Sequence, residues 1–174
     1  MCIPKLHQLT RVEVVSLLGE IYEHSAWVAE ALLDQGLTEA DSNSCHLASR
    51  MQSIVDAANI NAKLALLRAH PELVGKLALA GELTRNSVAE QANAGLDQCS
   101  IAEIAEFHEL NSDYKTRFGH PFIIAVWGLN RADILSTFRS RLENNRETEF
   151  AIALAEVHKI ASLRLQQLFA LPSS

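Results

Sequence analysis

Three places in the chain gather residues whose types suit acid–base or anion-binding chemistry. The first is RAHPELVGKLALAGELT, where His70 stands directly before Pro71. Proline disfavours the helical conformation of the residue preceding it, so His70 is expected at a helix break. A break between helices can aim an imidazole into a cleft. With a reference pKa of about 6.5, that imidazole can act as acid or base near neutrality. The bland alternative is a helix-boundary dipeptide with an exposed ring. The second place is NSVAEQANAGLD. Ser87 and Glu90 fit S-x-x-E, which reads as a capping box with Ser87 as N-cap and Glu90 reaching back. The other reading puts Ser87, Glu90 and Gln91 at a helix's first turn, whose free N–H groups favour a polar or anionic ligand. The third is NSDYKTRFGHPFI with the last helix behind it. There Arg164 lies in IASLRLQQLF, and its apolar neighbours suit either an inward guanidinium with an anionic partner or a stem that snorkels to solvent.

Other chemistries find no motif. The chain has no H-E-x-x-H, no E-x-x-H and no Cys/His cluster at zinc spacing, so no metal site is expected. G-x-G-x-x-G, the P-loop and G-x-S-x-G are likewise missing. The net charge of −6 comes with no cluster of Lys and Arg, which argues against nucleic acid as a partner. The three cysteines are odd in number and widely separated, so reduced thiols are the simplest reading. The opening residues lack the basic and apolar blocks of a secretory signal, and no run approaches the ~20 apolar residues of a membrane span. A cytoplasmic chain without membrane association is the expectation.

The elements that must position these residues are helical nearly throughout. At 174 residues with 48% hydrophobic content, the chain has the size of one domain and enough apolar surface to bury a core. Thr10 and Glu13 pair as a capping box before Val14, Val15, Leu17 and Leu18. A second helix runs from Ser25 to about Asp34 and stops at Gly36. A third covers roughly Ser42 to Ala58, with Cys45, Ala48, Met51, Val55 and Ala58 on one stripe. A fourth follows Asn61 through Leu64, Leu66 and Leu67, and Pro71 either ends it or starts the next turn. Ser100 and Glu103 cap a long helix carrying Ile101, Ile104, Phe107, Tyr114 and Phe118, with Gly119 just past its end. HPFIIAVWG then reads as buried extended chain, because no second strand-like run exists to pair with it. Asn130 and Asp133 open the next helix, and the last runs from about Thr148 to Ala170, before Pro172. Gly75, Gly81, Gly95 and Gly119 look like structural stops. The expected fold is all-α: a single-domain helical bundle, residues 1–174, with irregular inter-helix segments.

Taken together, RAHPELVGKLA, LTRNSVAEQANAGLD, LNSDYKTRFGHPFI and RLENNRETEFAIALAEVHKIASLRLQQL resemble the OHCU decarboxylase family (2-oxo-4-hydroxy-4-carboxy-5-ureidoimidazoline decarboxylase) of the urate-to-allantoin route. The resemblance covers about residues 60 to 170, and its combination of H-P-E-L, S-x-x-E-Q and F-G-x-P-F-I is specific. It implies an all-helical homodimer that needs no cofactor and decarboxylates a ureidoimidazoline to (S)-allantoin. The family's catalytic histidine matches His70, its acidic partner Glu90 and its final-helix arginine Arg164. Pro71, Ser87, Gln91 and the segment around Pro121, Phe122, Ile123 and Ile124 match substrate contacts. On this resemblance Glu90 leans toward catalysis rather than capping. One departure stands out: His120 occupies a place where many members carry an apolar ring. It either packs as that ring would or faces substrate as a second titratable group. The competing class is a helical binding or regulatory protein with the same pocket and no turnover, against which the joint presence of His70, Glu90 and Arg164 speaks.

Overall fold

Side-chain caps set most of the helix starts in the computed structural model, which describes residues 5–74 and 85–170. Helix α1 (Arg11–Leu18) opens on the expected box: the Thr10 hydroxyl accepts the Glu13 N–H at 3.3 Å, and the Glu13 carboxylate accepts the Thr10 N–H at 2.8 Å. Helix α2 spans Trp27–Asp34, and Gly36 follows at a φ of 84°, a left-handed value that favours glycine. Helix α3 (Ser44–Ala57) is capped by Asn43, whose side chain accepts the His46 N–H at 3.0 Å. A short 3-10 turn, Glu39–Ser42, precedes it. The buried stripe of α3 is Leu47, Met51, Ile54 and Val55, while Cys45 is exposed. Met51 and Val55 of the expected stripe are buried, Ala48 and Ala58 are half-buried, and Cys45 is displaced. Leu47 and Ile54 take the buried face with them, because they offer more apolar area than Cys45, Ala48 or Ala58. Helix α4 spans Ile60–Ala69 and ends before His70 and Pro71, as the proline demands.

Helices α5 (Arg85–Asn93), α6 (Ile101–Phe118), α7 (Arg131–Leu142) and α8 (Arg146–Ala170) complete the set. Ser100 with Glu103, and Asn130 with Asp133, form capping boxes at the starts of α6 and α7. Gly119 closes α6 in the left-handed region at a φ of 80°. Ile101, the first residue of α6, is 88% exposed. The stops expected at Gly75 and Gly81, and the end before Pro172, lie outside the described residues. No strand occurs among the described residues, and the all-α expectation holds.

The chain divides into two units, Met1–Ala69 with His158–Ser174, and His70–Val157. In the first, α2 lies against α1 and α3. In the second, the core gathers Phe107, Tyr114, Phe118, Phe122, Ile134 and Phe138, and Leu73 and Val74 belong to it too. The segment His120–Val126 is buried and forms neither helix nor strand. Buried backbone needs partners, and here side chains supply them. Arg141 donates to the Ile123 carbonyl at 2.7 Å, and the Ala125 N–H donates to the Glu156 carboxylate at 2.7 Å.

Candidate functional site

In the second unit His70 sits just past the end of α4 and is buried, at 8% exposure. The helix-break expectation is met and the exposed-ring alternative fails. Helix α5 brings Ser87 and Gln91, four residues apart, onto one inward face, with Glu90 half-buried beside them. The helix begins at Arg85, two residues before Ser87, so Ser87 is a buried residue of the first turn and not the N-cap.

Gln91 does something its sequence context did not announce. Its Oε1 accepts the N–H of Val74 at 3.3 Å, on the stretch that leads away from His70. Two residues of α6 grip the same stretch. The Asn111 Nδ2 donates to the Leu73 carbonyl at 2.9 Å, and the His108 Nε2 lies 3.1 Å from the Val74 carbonyl. A carbonyl only accepts, so this His108 nitrogen carries the proton. Lys115 adds an ion pair to Glu72 at 3.0 Å. Sequence reasoning assigned no role to His108, Asn111 or Lys115. The one available signal was their place in or beside the NSDYK stretch, which was matched as a whole without a role for its members.

The Pro121–Ile124 segment is buried throughout, and a charged network fixes it. Phe122 stacks on Phe138 with centroids 3.8 Å apart, and the Arg141 guanidinium lies over the Phe122 ring at 4.6 Å. Arg141 also donates through Nε to Glu149 at 2.8 Å, and Tyr114 and Asn144 donate to the same carboxylate. Burial, reinforced by the hydrogen bond to Glu149, pushes the Tyr114 phenol well above its ordinary range, so it stays a donor. His120 is buried with its ring edge-on to Tyr114 at 5.6 Å and tilted against Phe118 at 6.3 Å. Its Nδ1 lies 2.9 Å from the Pro121 carbonyl. The ring thus packs among aromatics while keeping a polar contact of its own.

Arg164 belongs to the first unit and points inward, at 5% exposure, so the snorkelling alternative fails. Its Nη1 pairs with the buried Glu23 carboxylate at 2.8 Å and donates to the Glu20 carbonyl at 3.2 Å. A buried guanidinium needs an anionic partner, and Glu23 is one that sequence reading missed. The same unit holds a hydrogen-bonded chain from Asp56 through His158 to Tyr22. The His158 Nε2 lies 3.2 Å from the Asp56 carboxylate, and the His158 Nδ1 lies 2.9 Å from the Tyr22 hydroxyl. With Nε2 donating to the carboxylate, Nδ1 accepts from Tyr22 and the ring is neutral. Burial lowers the His158 pKa, against the opposing pull of Asp56, and raises that of Tyr22.

The second unit holds a buried imidazole at a helix break and a helix turn carrying Ser87, Glu90 and Gln91, and the first unit holds a buried arginine. Comparison with known proteins gives them a context. The model of the OHCU decarboxylase family matches residues 7–166. The 2-oxo-4-hydroxy-4-carboxy-5-ureidoimidazoline decarboxylase of Haloferax volcanii is 40% identical, over 94% of this chain and 98% of its own length. The uric acid degradation bifunctional protein PucL of Bacillus subtilis is also 40% identical, over 92% of this chain but 31% of its own length. Among solved structures, that of an (S)-allantoin synthase matches with a TM-score of 0.73 at 35% identity, covering 94% of this chain and 52% of that one. An OHCU decarboxylase crystallised in the presence of (S)-allantoin matches with a TM-score of 0.70 at 26% identity, covering 91% and 98%. The chain belongs to the OHCU decarboxylase family.

Proposed function

We propose that this chain decarboxylates 2-oxo-4-hydroxy-4-carboxy-5-ureidoimidazoline to (S)-allantoin and CO2 in urate degradation, as a carboxy-lyase that uses no cofactor. The observation that carries the reading is the family match across residues 7–166 together with a buried His70 at a helix break. The substrate bears its carboxylate beside a C=N bond. When the bond to CO2 breaks, its electron pair shifts toward the ring nitrogen, leaving an enol between the two ring carbons. The nitrogen and the ureido-bearing carbon each take a proton and the enol hydroxyl gives one up, so the net uptake is one proton. The substrate thus holds its own electron sink, the part a cofactor plays in other decarboxylations.

In this reading His70 and Glu90 handle the protons, and delivery to one face of the ureido-bearing carbon sets the chirality. Ser87, Gln91 and Pro71 line the substrate, with backbone of Pro121 to Ile124 meeting its amide groups. Gln91 divides its capacity, since its Oε1 already accepts the Val74 N–H while its amide nitrogen has donors of its own. Arg164 holds the anion by a charge-assisted contact. His120 is assigned as a ring that shapes the substrate segment. The reading also takes residues 1–174 as one catalytic domain, acting in the cytoplasm as a homodimer on a small molecule and not on nucleic acid, in keeping with the net charge of −6.

The test is circular dichroism of the product made from freshly generated substrate, because uncatalysed decay gives racemic allantoin. The wild-type chain is expected to yield optically active (S)-allantoin, and His70→Ala and Glu90→Gln to lose it while keeping the helical far-UV signal. Racemic product from the wild type, or (S)-allantoin at the wild-type rate from both folded variants, overturns the reading.

A further inference from the structure

We infer that His108 and Asn111 are positioning residues for His70, acting through a strained backbone turn at Val74. The inference rests on the role proposed for His70. Val74 adopts a φ of 51°, in the left-handed region where a β-branched residue is a genuine outlier. Such a conformation is strained and persists only where surrounding contacts over-determine it. Here three contacts fall on two consecutive residues: Asn111 on the Leu73 carbonyl, His108 on the Val74 carbonyl and Gln91 on the Val74 N–H. Their distances are 2.9, 3.1 and 3.3 Å. Both Leu73 and Val74 are also buried, so the turn is anchored by packing as well as by hydrogen bonds.

Only three residues separate His70 from Val74, and one of them is Pro71, whose ring fixes φ. Little slack is left between the clamped turn and the imidazole's own backbone. Two of the three contacts come from α6, a helix of 18 residues closed by Gly119, so those side chains arrive on a rigid support. A catalytic group held from one side by a helix break and from the other by a clamped turn has its direction set before substrate arrives. Misplacement of about 1 Å costs roughly a hundredfold in rate. Asn111 is buried and touches the turn through its Nδ2, which makes it the stronger of the two grips.

The variants are His108→Leu, Asn111→Leu, their combination, and His108→Gln, which keeps a nitrogen donor near the Val74 carbonyl. The combined variant is expected to lose more than about tenfold in kcat with KM changed less than about threefold, since the reacting group and not the binding groups is displaced. His108→Gln is expected to stay within about threefold of wild type, unlike His108→Leu. The second readout is the His70 Cε1–H proton resonance, assigned by its loss in His70→Ala. It should shift or broaden in His108→Leu and Asn111→Leu, a change that a mere loss of stability would not produce in the folded population. Should the combined variant fail to fold, the single variants decide, since each loosens the turn while leaving two of its three hydrogen bonds to keep the segment folded. An unmoved His70 resonance in folded His108→Leu and Asn111→Leu, or unchanged kcat in both, overturns the inference. The resonance needs no turnover, so it reads the clamp even if the proposed substrate is wrong.

Discussion

Replacing Glu149 with Gln isolates the charge of one carboxylate while keeping its shape. Glu149 is fully buried and accepts hydrogen bonds from Tyr114, Asn144 and the Arg141 guanidinium, which is itself 7% exposed. The amide that takes its place has one acceptor oxygen where the carboxylate had two, and turns a donor toward a neighbour that also donates. Arg141 is left as a buried cation whose remaining partners are the Ile123 carbonyl, the Tyr114 hydroxyl and the Phe122 ring face. Breaking a buried pair from one side costs about 3–5 kcal/mol, because the remaining charge stays desolvated. For a chain of this length each kcal/mol lowers Tm by roughly 2–4 °C, so Glu149→Gln should fall by about 6–20 °C. Urea unfolding followed by far-UV circular dichroism measures the free energy directly. Arg141→Met removes the other half, and the double variant should cost less than the sum of the singles by about 0.5–3 kcal/mol. A Glu149→Gln loss below about 1 kcal/mol, or additivity across the cycle, would refute the view that this network is one coupled unit.

Two further expectations concern the helix framework. The His158 pKa is lowered by burial, so as pH falls below about 6.5 the unfolded chain takes a proton before the folded one does. That contribution is fully present above about pH 6.5 and is lost as pH falls through the lower folded value, and His158→Gln should show a shallower loss of stability between about pH 7 and pH 5 than wild type; equal slopes in chemical denaturation at the two pH values would count against it. Ser100→Ala removes the side-chain acceptor for the Glu103 N–H at the start of α6 and should cost about 1 kcal/mol, read as a Tm drop of roughly 2–4 °C. No change in melting there would mean that tertiary packing alone holds the first turn.

The parts of the fold that the sequence makes legible are those whose physics is local. Thr10 with Glu13, Ser100 with Glu103, and Asn130 with Asp133 announce helix starts within four residues, and each forms the box expected. Gly119 announces a stop because only a left-handed residue closes that turn cheaply. HPFIIAVWG reads correctly as buried non-helical chain as far as Val126, because no complementary run exists for a sheet, while Trp127, expected inside with it, is exposed. Arg141 and Glu149 had no such marker. Both sit in polar-looking stretches, RSRLENN and RETEF, and what draws them inward is the Ile123 carbonyl and the Tyr114 hydroxyl, which come from 18 and 35 residues away. A buried charge is legible only once its partner is known. Arg164 shows the same limit from the other side: its apolar neighbours left inward and outward readings open until Glu23, far away in the chain, supplied the anion.

The candidate site divides along the same line. His70 could be placed by Pro71 alone, since a proline dictates the backbone of its neighbour whatever the rest of the chain does. Its chemical role could not, and came from the resemblance of four separated stretches. The turn at Val74 lies beyond both kinds of reasoning. Propensity would never set a β-branched residue at a φ of 51°, and a motif match records which residues occur but not which backbone groups they hold. The conformation exists because side chains 17, 34 and 38 positions further along arrive to satisfy it. Strain of this kind is therefore a statement about tertiary structure: any substitution that loosens α6 against the turn removes the support before it touches the histidine.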